Sequence, residues 1–250
     1  CQMNEIAVYA SDTDVAPYDS GSYASATTYV TGMACVKACT ELRDKIIATG
    51  ASMLGIDPED AEFDGAKVYC VSDPDKFVSR KDVAYKGQCG SNSELAATVS
   101  HSSPVSPPPV MVGAAEIELD PETGKVDLGD YCACVDCGTP INPNLARVQT
   151  EGGLVQGIGM ALYEDIVYGE NGTNYSNSFM QYKIPSRLDI GKVRVEFESS
   201  YEPSGPKSIG EVVINTPPPA IAAAVASATG VRIRSLPITA EKIVMGMQKL

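Results

Sequence analysis

The sequence predicts a mixed α+β fold. Runs of strand character are interspersed with runs of helical apolar spacing, and a Pro/Gly turn joins two strand-like runs of matched length. The 250 residues suffice for one large domain or two modest ones with a real core.

Glu5 to Tyr9 reads as a strand, followed by a loop, Ser11 to Ser25, crowded with Asp, Ser, Gly, Pro and Tyr. From Thr28 to Thr49 the residues Val30, Met33, Ala34, Val36, Ala38, Leu42 and Ile46 recur at helical spacing, and Gly50 offers a stop. A strand is expected over Lys67 to Val71, then a polar, irregular stretch from Ser72 to Pro109. Its Ser/Pro tract, Ser102 to Pro109, reads as a solvated or edge-lying connection. Val110 to Leu119 and Val126 to Val135 flank Asp120-Pro121-Glu122-Thr123-Gly124, which predicts a β-hairpin. A helix from Asn144 to about Tyr168 carries Gly152, Gly153, Gly157 and Gly159. Glycines there weaken a lone helix, so they point to close approach of another backbone or of a cofactor. Lys192 to Glu198 reads as a strand and Pro217 to Ala228 as a helix, and Thr239 caps a last helix.

The net charge of −13 argues against nucleic acid, which requires clustered Lys and Arg. No stretch approaches the roughly 20 apolar residues of a membrane span; the longest, Ala220 to Ala228, reads as a buried helix. A cytoplasmic location follows as the expectation. No signal-peptide pattern opens the chain, and its abrupt start at Cys1 suggests a piece of a larger polypeptide or a processed subunit. Cys132, Cys134 and Cys137 are spaced C-x-C-x-x-C. On a strand the first two share one face and the third falls on the other, and no second C-x-x-C completes a zinc or iron–sulfur site. Free, buried structural thiols are expected. A small metal-binding module centred on these cysteines stays as a rival.

Gly205-Pro206-Lys207-Ser208-Ile209-Gly210-Glu211 places one acid at the end of a Gly/Pro loop, directly before a helix start marked by Pro217-Pro218-Pro219. A carboxylate on a loop held between rigid elements is placed to act on something bound in front of it. The glycines from Gly152 to Gly159 match a dinucleotide fingerprint weakly. They lie inside a helical run rather than in the turn after a strand, which discounts a nucleotide site.

Five motifs, in order, carry a family resemblance. They are Ser11-Asp12-Thr13-Asp14 with Pro17-Tyr18-Asp19-Ser20-Gly21; Tyr23-Ala24-Ser25-Ala26-Thr27-Thr28; Asp136-Cys137-Gly138 with Ile141-Asn142-Pro143; Gln149 through Gly159; and Tyr182-Lys183-Ile184-Pro185 with Lys207 to Glu211. Together they resemble the molybdenum hydroxylases of the xanthine dehydrogenase and aldehyde oxidoreductase family. The match is to the C-terminal part of the molybdopterin-binding region, over nearly the whole chain. In those terms residues 1–250 form about two α+β lobes, 1–110 and 111–250, that are not independent.

The resemblance implies that Glu211 is the catalytic base, in a partly dry pocket. It takes the proton from a hydroxide on molybdenum as that oxygen attacks an electron-poor carbon, while a hydride passes to a terminal sulfido or selenido ligand. Ala24, Ser25, Ala26 and Thr27 match the loop that contacts the cofactor through backbone N–H groups and hydroxyls. Many bacterial relatives carry Arg where Ala26 stands, so only the backbone contact carries over there. Gln156 matches a glutamine that hydrogen-bonds near the metal and pterin; helix packing is its alternative. Tyr23 and Ala24 border the substrate pocket, and Lys207 either orients the loop or reaches a pterin oxygen. Molybdenum is held through the pterin, with the cytosine dinucleotide form expected and no side-chain ligand.

The further implications concern partners: the other molybdopterin-binding half, an iron–sulfur subunit with [2Fe-2S] clusters and a FAD subunit, in a hetero-oligomer that alone is active. The implied reaction is water-derived hydroxylation of an N-heterocycle, nicotinate- or purine-like. Aldehyde oxidation and a non-catalytic structural subunit are the alternatives. His101 is expected at the surface, the sequons at Asn171 and Asn174 carry no export signal, and Asp12, Asp14 and Asp19 are expected in turns.

Overall fold

A computed structural model describes residues 1–89, 95–103, 107–198 and 205–250. The chain divides into two compact units, one of Cys1–Ser22 with Thr27–Pro104, the other of Tyr23–Ala26 with Val105–Leu250. Part of the Ser102 to Pro109 tract, residues 104–106, lies outside the described residues.

In the first unit helix α1, Thr27–Leu54, packs on an antiparallel sheet of β1 (Ala61–Phe63), β2 (Lys67–Cys70) and β3 (Asp73–Ser79), which leads into α2, Arg80–Cys89. Ala51, Ala61, Val68 and Val83 form the buried core. Gly50 does not end α1. A Cβ there would lie 2.6 Å from that of Val68, so the glycine lets the helix approach the sheet. The stop falls at Gly55, whose φ of +65° suits a residue without a side chain.

Two further expectations fail in this unit. Glu5 to Tyr9 is not a strand: a 3-10 turn covers Met3–Glu5, and Val8 and Tyr9 are exposed beyond it. A strand needs a neighbour, and no pairing to this segment occurs among the described residues. Conversely β3 and α2 form within the stretch taken as irregular. The cross-strand pairs Val68–Val78 and Tyr69–Phe77 hold β3, whose own sequence is too polar to announce a strand.

In the second unit β4 (Val110–Leu119) and β5 (Val126–Asp136) form the predicted hairpin, and β6 (Lys192–Phe197) pairs parallel to β5. The turn is built by Asp120, whose Oδ1 accepts from Glu122 N at 2.9 Å, and by Gly124 at φ +72°. Helices α3 (Pro143–Leu162) and α5 (Pro217–Thr229) lie on one face of the sheet, with α4 (Val212–Asn215) between them in sequence to α5 and α6 (Ala240–Met247) closing the chain. Tyr131, Leu154, Ile158, Val195, Ile221, Val225 and Ile243 are buried in this core. Thr239 caps α6, its Oγ1 accepting from Lys242 N at 3.3 Å. α3 ends at Leu162, short of the expected Tyr168, because Tyr163 leaves helical backbone at φ −128°.

By composition Val212–Thr229 reaches a mean hydropathy of 1.2 over 18 residues, longer than the sequence reading allowed for a candidate span. The run is broken at Thr216 between α4 and α5, and Val213, Ile221 and Val225 are fully buried in the fold. The cysteines also depart from expectation. Cys132 and Cys134 do share the open face of the sheet, and Cys137 is buried. Yet Cys1 at the N-terminus is exposed, and so are Cys35, Cys39, Cys89 and Cys134, which sit on helix and sheet faces left uncovered by the described residues.

Candidate active site

The loop ending in Glu211 is anchored at its start by the end of β5. Lys207 N donates to Cys137 O at 2.7 Å, Thr139 N donates to Gly205 O at 3.1 Å, and Gly138 bridges Pro206. Gly138 makes this possible, since a Cβ on it would lie 2.1 Å from Gly205 O. Lys207 Nζ donates to Asp136 Oδ2 at 2.7 Å, and Asp136 Oδ1 accepts from Gly138 N at 2.9 Å. Lys207 thus ties the start of the loop to Asp136. Burial pushes the Cys137 thiol above its ordinary range, so it packs as an inert group beneath the anchor.

The middle of the loop meets residues 23–26, which belong to the same unit. Ala24 and Ser25 take φ values of +50° and +55°, and Ala26 N donates to Tyr23 O at 3.3 Å. This is a mirror-image turn of the kind normally built from Asn-Gly, here made from two residues that carry Cβ atoms. Left-handed backbone costs about 1–2 kcal/mol per such residue. Contacts to the acid loop offset part of that cost. Ser208 Oγ donates to Ala24 O at 3.4 Å, and Ser25 Oγ donates to Glu211 Oε2 at 2.9 Å. Gly210 leaves the room for Ser25, whose Oγ would lie 2.5 Å from a Cβ at that position.

Helix α3 supports the far side. Gln149 Nε2 donates to Ile209 O at 3.4 Å and Gly210 O at 3.2 Å. Gly153 receives the Val213 side chain, and Gly157 receives Ile214 O and the Pro217 ring. The glycines expected to admit a neighbouring backbone thus admit the segment that follows Glu211. Behind it, the fully buried Tyr131 donates from its hydroxyl to Thr216 Oγ1 at 2.9 Å.

The structure brings Ala24, Ser25 and the Glu211 loop together, while the Lys207 side chain lies at the start of that loop on Asp136. Glu211 itself is exposed, not enclosed in the partly dry pocket expected of it, because no described residue of this unit covers its outer side. Tyr23 is exposed, and Ala26 is half-buried beside Ser25. Gln156 is exposed on the outer face of α3, one turn from Gly152. Thr27 opens α1 in the first unit, where its Oγ1 donates to Ser22 Oγ at 2.6 Å. His101 is partly exposed, its Nδ1 2.9 Å from Lys37 Nζ. Asp12 and Asp19 accept backbone N–H bonds from Asp14 and Gly21, as turn residues do.

Sequence reasoning missed Gln149 and Asp136. Both stand inside motifs it singled out, but without a role. Gln149 had one signal: it lies one helical repeat before Gly153, which lies one before Gly157.

These residues fit a large polar group held by hydrogen bonds. Neutral donors line the loop and α3, a Cβ at Gly152 would meet nothing within 4 Å, and small side chains leave the 24–26 backbone open to close approach. Among the described residues no group of three or more His, Cys, Asp or Glu could hold a metal ion. A tight small-residue turn held against an acid-bearing loop is the site so defined. The chain belongs to the molybdopterin-binding xanthine dehydrogenase family, with residues 1–191 matching the molybdopterin cofactor-binding domain.

It is 34% identical over its whole length to the probable hypoxanthine oxidase XdhD of Escherichia coli strain K12, covering 26% of that protein. It is 33% identical over 98% of its length to the 6-hydroxypseudooxynicotine dehydrogenase complex subunit gamma of Paenarthrobacter nicotinovorans, covering 32% of it. In structure it resembles quinoline 2-oxidoreductase from Pseudomonas putida 86, with a TM-score of 0.75 and 26% identity, over 94% of this chain and 32% of that one. The chain thus spans 26% to 32% of the length of these relatives.

Proposed function

We propose that this chain forms the acid-bearing part of the catalytic region of a molybdenum hydroxylase, with Glu211 as general base. The Ser25–Glu211 hydrogen bond at 2.9 Å carries the proposal, because it ties the acid to the small-residue loop that matches the family's cofactor contact. Ser25 and Ala26 backbone groups, the Ser25 hydroxyl and Gln156 would hold the molybdopterin, together with Ala24; Thr27 joins this set by its match to the family loop. Bound there, the cofactor supplies the two-electron redox centre for oxidising the substrate.

Ser25 donates to Oε2 of Glu211, leaving Oε1 to accept a proton from the attacking water-derived oxygen. The loop anchor at Lys207 and Asp136 and the α3 support keep the Glu211 carboxylate in place. Tyr23 and Ala24 stand where substrate would be bordered. Glu211 is exposed in this chain, and a further molybdopterin-binding half would complete the enclosure.

An N-heterocycle is the proposed substrate class, supported by relatives named for hypoxanthine and quinoline. The cytosine dinucleotide form of the pterin, a terminal sulfido or selenido ligand, and [2Fe-2S] and FAD on partner chains belong to the same proposal. So does a cytoplasmic hetero-oligomer, for which the relative named as a complex subunit is the support. In the assembled enzyme Glu211→Gln should lower the hydroxylation rate by roughly 10²- to 10⁴-fold with molybdenum content retained. Full activity with retained cofactor overturns the assignment, and a panel of heterocycles and aldehydes separates the two substrate classes.

A further inference from the structure

We infer that Gln149 is a positioning residue for Glu211, acting through the two carbonyls that precede it; the inference rests on Glu211 as the base. Three residues of α3 face the acid loop at a spacing of four, one above another on a helix. Gln149 donates to Ile209 O and Gly210 O, Gly153 seats Val213, and Gly157 seats Ile214 and Pro217. The loop segment therefore runs alongside α3, held upstream of Glu211 by an amide and downstream by two glycine seats.

The two kinds of hold differ. The glycine seats fix how closely the segment after Glu211 approaches α3, but they make no directional bond to the loop backbone. The directional Nε2 bonds hold the carbonyls of residues 209 and 210, and with them the peptide that sets where the Glu211 side chain starts. Gly210 has no side chain to brace it, and Ser25 occupies the space where one would stand. Without Gln149 the peptide before the base has one fewer restraint and the most permissive residue type. Displacement of a reacting group by about 1 Å can cost on the order of 100-fold in rate.

The test uses the assembled, cofactor-loaded enzyme. Gln149→Met keeps the length of the side chain and removes the donor; Gln149→Glu keeps the shape and presents an acceptor to two carbonyls. Both should lower kcat by roughly 10- to 100-fold, with molybdenum content and KM within about twofold of the parent. Backbone amide exchange over residues 209–214 should accelerate in both. In a Glu211→Gln background Gln149→Met should cause no further fall, because its effect passes through the carboxylate.

An unchanged kcat, an equal fall in both backgrounds, or loss of bound cofactor in both variants overturns the positioning role. If Glu211→Gln alone leaves turnover intact, the base assignment itself fails and the inference falls with it. That result is distinct from a failure at Gln149, in which Glu211→Gln remains impaired.

Discussion

Lys207 Nζ sits 2.7 Å from Asp136 Oδ2, with the two side chains only 5% and 16% exposed. An ion pair so far from water is sustained by geometry, since each charge loses hydration and must recover it from its neighbour. Its place at the foot of the acid loop ties that loop to the end of β5.

Replacing Lys207 with Met leaves a largely buried carboxylate without this counter-charge. Stability should fall by about 3–5 kcal/mol, read from urea unfolding. Lys207→Met together with Asp136→Leu should recover part of that loss, because apolar replacement of both partners of a buried pair is often neutral. Equal losses for the single and double variants would contradict the anchor.

Gly157 and Gly152 share a helix but should respond oppositely to alanine. At Gly157 a Cβ would meet Ile214 O and Pro217 Cγ, each at 2.8 Å. Overpacking costs about 1–3 kcal/mol, outweighing the roughly 1 kcal/mol of helix propensity gained. At Gly152 nothing lies within 4 Å, so Gly152→Ala should stabilise by up to about 1 kcal/mol. Thermal unfolding of the two variants distinguishes them by sign.

Ala24→Gly tests the cost of the mirror-image turn. Relief of the positive φ at residue 24 should outweigh the added freedom of the unfolded chain, giving a net gain of up to about 1 kcal/mol. A loss of stability would show that the side chain of Ala24 contributes more by packing than its backbone costs.

Glu5 in the first unit sets an acid limit. The Arg80 guanidinium, bonded to it at 2.7 Å, is the main cause that lowers its carboxyl from 4.5 to about 2. A folded value below the ordinary one means that the stabilisation is complete above pH 4.5 and is lost as pH falls through about 2. Acid titration of Glu5→Gln should therefore differ from the parent at neutral pH and converge with it below that limit. The effect is small, because both side chains are about 40% exposed, at 39% and 41%.

Most of the second unit was legible in the sequence. The hairpin announced itself through its Pro/Gly turn, α5 through its prolines, and α6 through the Thr239 cap, because each signal is local. The glycines of α3 were read correctly as an approach surface, although what approaches could only emerge from pairing positions some 60 residues apart, such as Gln149 with Gly210. The first unit was read less well. The polar β3 is a strand because Val68 and Tyr69 pair with it, while apolar Val8 and Tyr9 are not strand because no described residue pairs with them. Composition could not report either. At the site, Glu211 and Ser25 were singled out by resemblance, and their side chains lie 2.9 Å apart. The left-handed turn at Ala24 and Ser25 was not legible, since neither residue type advertises positive φ.

The fourfold repeat along α3 makes the length of this helix as restrictive as its composition. Inserting or deleting one residue between Gln149 and Gly157 would rotate everything beyond it by about 100°, turning the downstream notch away from Pro217 while the upstream amide stayed put. Such frameshifts of the spiral, even conservative ones that add only an alanine, should be far less tolerated there than in the hairpin turn at Asp120.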